Sequence, residues 1–185
     1  MSAKKTSKPT AKAPIYKQWW FWLVIILVLG GIAIGVSNNN GGPKKVGENG
    51  DQSSSSQTEF KVGDIILMDN VEISVTSIVR NYSTGNQYIT PKSGKEYVKV
   101  NVNINNKSNE TIPFNALNWN IEDSDGVIDS YSIFAAADDA LNSGELAKGG
   151  KKSGSIVFEV PAGDANLKLH YKPSFLSNKE VIINL

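Results

Sequence analysis

The chain has 185 residues, with 19 Lys plus Arg against 18 Asp plus Glu, one histidine and no cysteine. Without cysteine, disulfides, thiolate nucleophiles, cysteine-ligated metals and lipoprotein acylation are all excluded. The near-neutral total hides an asymmetry: the first 18 residues hold five lysines and no acid, so the remainder is net acidic, which argues against a nucleic-acid partner.

Residues 1–18 form a basic tail carrying Lys4, Lys5, Lys8, Lys12 and Lys17. Residues 19–36 (WWFWLVIILVLGGIAIGV) carry no charge. A helix over them would measure about 27 Å, close to the hydrocarbon thickness of a bilayer. Lipid cannot hydrogen-bond backbone, so this run is predicted as a single transmembrane helix. The lysine asymmetry puts the N-terminus in the cytoplasm and the chain after residue 36 outside, with Trp19, Trp20 and Trp22 at the inner headgroups. Cleavage is the competing reading, since Ala33 and Gly35 suit a signal-peptidase site and would release a secreted form near Gly35. The apolar run nevertheless exceeds the ~7–15 residues of a removable core. Gly31 and Gly35 would let two anchors approach closely, although small residues near helix ends are common without dimerisation.

Residues 37–59 (SNNNGGPKKVGENGDQSSSSQTE) hold one aliphatic side chain, Val46. Such a segment buries too little apolar surface to offset the ordering of its backbone. It is predicted as a disordered linker with a reach of roughly 25–30 Å.

From residue 60 the hydrophobic period becomes two. Short strands are predicted over 64–68 and 71–79, with Asp69 and Asn70 turning between them. Residues 81–94 read as a loop. The clearest strand covers 96–105, where Val98, Val100, Val102 and Ile104 point one way and Lys99, Asn101, Asn103 and Asn105 the other. Trp119 and Ile121, then Val127 and Ile128, flank a turn at 123–126, and later strands cover 156–160, 167–171 and 181–185. Residues 135–141 (AAADDAL) suit one or two helical turns over a sheet edge. Seven or eight short strands with no long amphipathic helix indicate an all-β, immunoglobulin-like antiparallel β-sandwich over 60–185.

The segment from Gly94-Lys-Glu-Tyr97 through Val98, Val100, Val102 and Ile104 to Asn106 leads to the Asp-x-Asp-Gly turn. Leu146, Gly149, Gly150 and the run Gly154-x-Ile156-x-Phe158-Glu-Val160-Pro161 follow. This pattern resembles a family of unknown function common in exported proteins of Gram-positive bacteria. That family is similar in fold to the immunoglobulin-like secreted immunoprotective antigen of mycobacteria. The resemblance implies a fold and an extracytoplasmic address, and brings no activity with it. Many members look like lipoproteins; this chain lacks the cysteine, so its anchor would be the helix.

Candidate chemistry is sparse. Asp123, Asp125 and Asp129 supply the oxygen ligands calcium needs, but the spacing of an EF-hand loop is not met, and Asp-Gly between alternating runs is the ordinary hairpin signal. His170 alternates with Leu169 and Tyr171, which places it on a solvated face, and one imidazole cannot make a usual zinc site. No G-x-S-x-G accompanies it. Tyr82, Tyr88 and Pro91 form either a contact surface at a sandwich end or packing on the domain's own edge. The favoured function is a membrane-anchored binding module for an unidentified protein or cell-wall ligand, without cofactor. A wall-glycan hydrolase using paired carboxylates and a calcium-responsive structural domain are the alternatives.

Overall fold

The computed structural model describes residues 42–46, 59–173 and 179–185. The basic tail 1–18 and the apolar stretch 19–36 lie outside the described residues; among those described, no helix is long and apolar enough to cross a membrane. What the described residues form is a β-sandwich with almost no helix. One sheet, A, runs in the order β1 (Lys44–Lys45), β3 (Ile66–Met68), β4 (Val71–Val79), β5 (Lys95–Asn106), β10 (Lys151–Pro161). The other, B, runs β2 (Glu59–Lys61), β12 (Val181–Asn184), β11 (Lys168–Tyr171), β7 (Trp119–Glu122), β8 (Ile128–Ser130). A separate pair joins β6 (Ile112–Asn115) to β9 (Ser143–Leu146). Every pairing is antiparallel except that of β2 with β12.

The alternation in β5 works as the sequence implies. Val98, Val100, Val102 and Ile104 are buried against Ile73 and Val75 of β4 and Ile156 and Phe158 of β10. Sheet B supplies the opposite wall of the same core through Phe60, Trp119, Ile121, Leu169, Tyr171, Val181 and Ile183. The Trp119 and Tyr171 rings lie 4.5 Å apart at 41°. Asp69 and Asn70 both take positive φ, 50° and 61°, the twist that a two-residue hairpin between β3 and β4 requires.

Twelve strands appear among the described residues, against seven or eight expected. The unread ones, β1, β2, β6 and β9, are two to four residues long and hold one large apolar side chain or none, apart from Ile112 and Phe114 either side of Pro113 in β6, which breaks a strand pattern. One of them corrects the linker. Lys44 and Lys45, expected in the tether, pair with Leu67 and Ile66, and the Val46 N–H donates to the Ile65 carbonyl at 2.7 Å. Lys45 also meets the buried Asp64 carboxylate at 3.2 Å. Sheet edges recruit such segments because the unpaired backbone of β3 offers hydrogen bonds whatever the side chains.

Register fixes two ends of the sandwich. Where β1 and β2 begin, the 69–70 turn lies beside Lys179, which is ion-paired to Asp69. The opposite end gathers the loops 80–94, 123–126 and 161–166.

Candidate interaction surface

The far end is tied together by one buried carboxylate. Glu96, 3 % exposed, receives the Arg80 guanidinium, the Asn81 N–H at 2.9 Å and the Gly163 N–H at 2.9 Å. Arg80 donates onward to the Asp164 carbonyl, and the Asp164 carboxylate accepts from Ser124 N–H at 2.8 Å, which brings in the 123–126 turn. Arg80 holds the Glu96 carboxyl below its usual range, its hydrogen bond outweighing the cost of burial.

Beside this knot a small second core forms from Tyr97, Ala135 and Val157, with Tyr82, Ile89 and Ala137 packed on it. It joins the 81–94 loop to a strap, residues 131–141, that runs along the outer edge of β10. Ser132 N–H donates to the Val157 carbonyl at 2.7 Å, Leu141 N–H to the Ser155 carbonyl at 2.9 Å, and Ser155 N–H to the Asp139 carbonyl at 2.9 Å. The Asp139 carboxylate accepts from Ser155 Oγ at 2.7 Å and Lys99 Nζ at 2.9 Å. Gly154 permits the approach, since a Cβ there would stand 2.6 Å from Leu141 Cα. The helical turns expected over 135–141 are therefore replaced by a single 3-10 turn at Ile133–Ala135 and a strap whose backbone bonds go to β10, although the expected covering of an edge is present.

The turn buries Ala135 and leaves Ile133 65 % and Phe134 84 % exposed. Leaving two large apolar side chains in water forgoes about 1.5–3 kcal/mol of burial each. Beside them is a groove of about 300 Å³ lined by Leu117, Tyr131, Ile133, Ala136, Leu141 and Val157 among others. The three residues singled out in the 81–94 loop separate. Tyr82 packs on the second core with Lys99 Nζ 5.6 Å from its ring centre, Pro91 is half-buried, and Tyr88 is 85 % exposed. Tyr88 precedes Ile89 and Phe134 precedes Ala135, so both exposed rings flank residues of one small cluster.

The other sequence-selected residues fall elsewhere. Asp123 Oδ1 accepts from Asp125 N–H at 3.0 Å and Val127 N–H at 2.9 Å, closing the hairpin with Gly126 at φ 79°. Asp125 and Asp129 are exposed, and among the described residues no three His, Cys, Asp or Glu gather as metal ligands. His170 corrects the expectation of a solvated face: it is 5 % exposed, Nε2 lying 2.7 Å from Glu122 Oε2 and Nδ1 2.7 Å from Glu180 Oε1. The hydrogen bond to His170, aided by the charge of Lys168 and opposed by burial, holds the Glu122 carboxyl low. Asp139, Glu159 and Asp164 are likewise held low. A general acid for glycoside cleavage needs the reverse. Sequence reasoning missed Glu96, the pairing of His170 with Glu122 and Glu180, and the Ile133–Phe134 pair. An apolar pair inside a polar stretch, SYSIFAAADD, was the signal available for the last.

Solved structures from Bacillus subtilis share the fold. The yjhA protein of Bacillus subtilis is 15 % identical, with a TM-score of 0.52 over 68 % of this chain and 98 % of its own. A putative lipoprotein, ycdA, of the same organism is 16 % identical with a TM-score of 0.54, over 71 % of this chain and 39 % of that longer one. The secreted protein MPT63 of Mycobacterium tuberculosis is 12 % identical with a TM-score of 0.48, over 69 % and 96 %. No curated protein matches the sequence. Residues 60–181, from β2 to the first residue of β12, match one family throughout, and the chain belongs to it: the domain of unknown function DUF4352.

Proposed function

We propose that this chain is a membrane-tethered binding module on the outer face of a bacterial cytoplasmic membrane, and that it engages a partner protein through Ile133, Phe134 and Tyr88. The observation that carries the reading is the exposed Ile133–Phe134 pair, held in place by the strap's backbone bonds to β10. Large apolar side chains fixed in water beside a groove are typical of contact sites. The lysine asymmetry about residues 19–36 supports the outward orientation, and the description of one Bacillus relative as a putative lipoprotein is in keeping with it. Glu96, Glu122, Asp139, Glu159 and Asp164 are held low, the reverse of what a general acid for hydrolysis needs, which favours binding.

The test places a photo-crosslinking residue at Phe134, or as control at Asn103 on the outer face of β5, in intact cells. Adducts to a distinct protein are expected from position 134 and not from 103. Equal labelling at both positions, or none at 134, removes the proposed surface. Protease added to whole cells tests the address separately: the sandwich is expected to be degraded, and its protection would overturn the outward placement.

A further inference from the structure

The only histidine of the chain sits where two carboxylates meet it. β11 presents His170 opposite Asn120 of β7 and Ile182 of β12. Glu122 reaches Nε2 from the end of β7, and Glu180 reaches Nδ1 from just before β12. Lys168 Nζ lies 3.5 Å from Glu122 Oε1, and Lys172 Nζ 3.3 Å from Glu180 Oε1. These are the charged groups facing the ring from β7, β11 and the approach to β12.

A neutral imidazole has one N–H and one lone pair. With a carboxylate oxygen 2.7 Å from each nitrogen, a neutral ring would set one lone pair against another acceptor. Only the doubly protonated ring donates to both. We propose that His170 is a proton-operated clamp: as imidazolium it ties β7 to the start of β12, and loss of its proton releases one carboxylate and loosens β12. In the sheet order β2 pairs with β12 alone, so the strand that follows the linker loosens with it. The device responds in sheet B, at β12 and β2, and it is independent of the Phe134 surface.

The sequence makes the test clean. With one histidine and no cysteine, an imidazole and the terminal amine are the groups ordinarily titrating between pH 5 and 8. Full-length protein in mild detergent, labelled with nitrogen-15 at histidine, is expected to show both ring nitrogens protonated at pH 6. Amide exchange, corrected for its intrinsic pH dependence, is expected to lose about tenfold protection or more in β12 and β2 between pH 6 and 8.5. β5 and β10 should hold steady. Glu180→Gln gives Nδ1 a partner that donates or accepts, so it should fold and lose the pH response; His170→Gln should lose it too. A ring that is neutral at pH 6, or an unchanged response in Glu180→Gln, overturns the clamp.

Discussion

The sandwich holds two buried charge knots that differ in their cation. At the loop end, Glu96 is met by Arg80, whose planar guanidinium donates to it from more than one nitrogen. In sheet B, Glu122 and Glu180 are met by His170, whose two ring nitrogens bridge them. Both knots tie strands or loops that share few backbone bonds. The first can be undone only by protonating its carboxylate, the second by deprotonating its cation. The cation, not the carboxylates common to both, sets the direction of the pH response.

The largest effect expected from breaking this contrast is at Glu96. Glu96→Gln removes the charge facing Arg80 and replaces one acceptor oxygen by a donor, which confronts either the Asn81 or the Gly163 N–H. Because Arg80 remains partly in water, the expected loss is about 2–3 kcal/mol, below that of a fully buried pair. Urea unfolding at pH 7 measures it. The sign with pH follows from a carboxyl held low. Its contribution is complete above the ordinary carboxylate range and is lost as pH falls through the lowered value. The acid limb of stability should therefore be shallower in Glu96→Gln, while Asp139 and Asp164 keep it from vanishing. An equally steep limb would mean that Glu96 is not the carboxylate acid attacks.

A smaller effect separates the knots from the strap, which rests mainly on neutral backbone bonds. In Gly154→Ala the added methyl meets the Leu141 backbone, so the strap must move and Leu141 must leave its buried place. Overpacking of this kind costs about 1–3 kcal/mol. The change should appear as faster exchange at the Leu141 and Ser155 amides at every pH, with neither knot's pH response altered. Unchanged exchange there would show that the strap does not depend on the glycine.

Legibility in the sequence followed the range of the determining contacts. The Val98–Ile104 alternation is local, and β5 was read from it, although Lys44 and Lys45 were not read as a strand, because an edge strand of two residues is specified by the partner backbone. His170 was misplaced because strand alternation reports the face and not what lies on it; Glu122 is 48 residues away and Glu180 ten. The 135–141 segment has helix-forming composition, yet it forms a tight turn over 137–140 and bonds to β10, because Gly154 and Ser155 supply a surface and partners the local window does not contain. The proposed contact surface was half legible: Tyr88 was marked by its loop, and Phe134 by nothing periodic.

The smallest expected effect concerns carboxylates with no cation at all. Asp123, Asp125 and Asp129 form no ion pair among the described residues, and they were the calcium candidates. Asp123 spends Oδ1 on two backbone N–H groups, a task an asparagine oxygen performs equally well. Asp123→Asn should thus leave stability within about 0.5 kcal/mol, and Asp123→Ala should cost about 1 kcal/mol, the worth of a lost turn acceptor. A ligand that binds the folded state raises the melting temperature, so the comparison of EDTA with millimolar calcium is decisive. Equal melting temperatures are expected for the parent and Asp123→Asn. A rise with calcium that Asp123→Asn abolishes would make this turn a third knot, with a metal in the place of arginine or histidine.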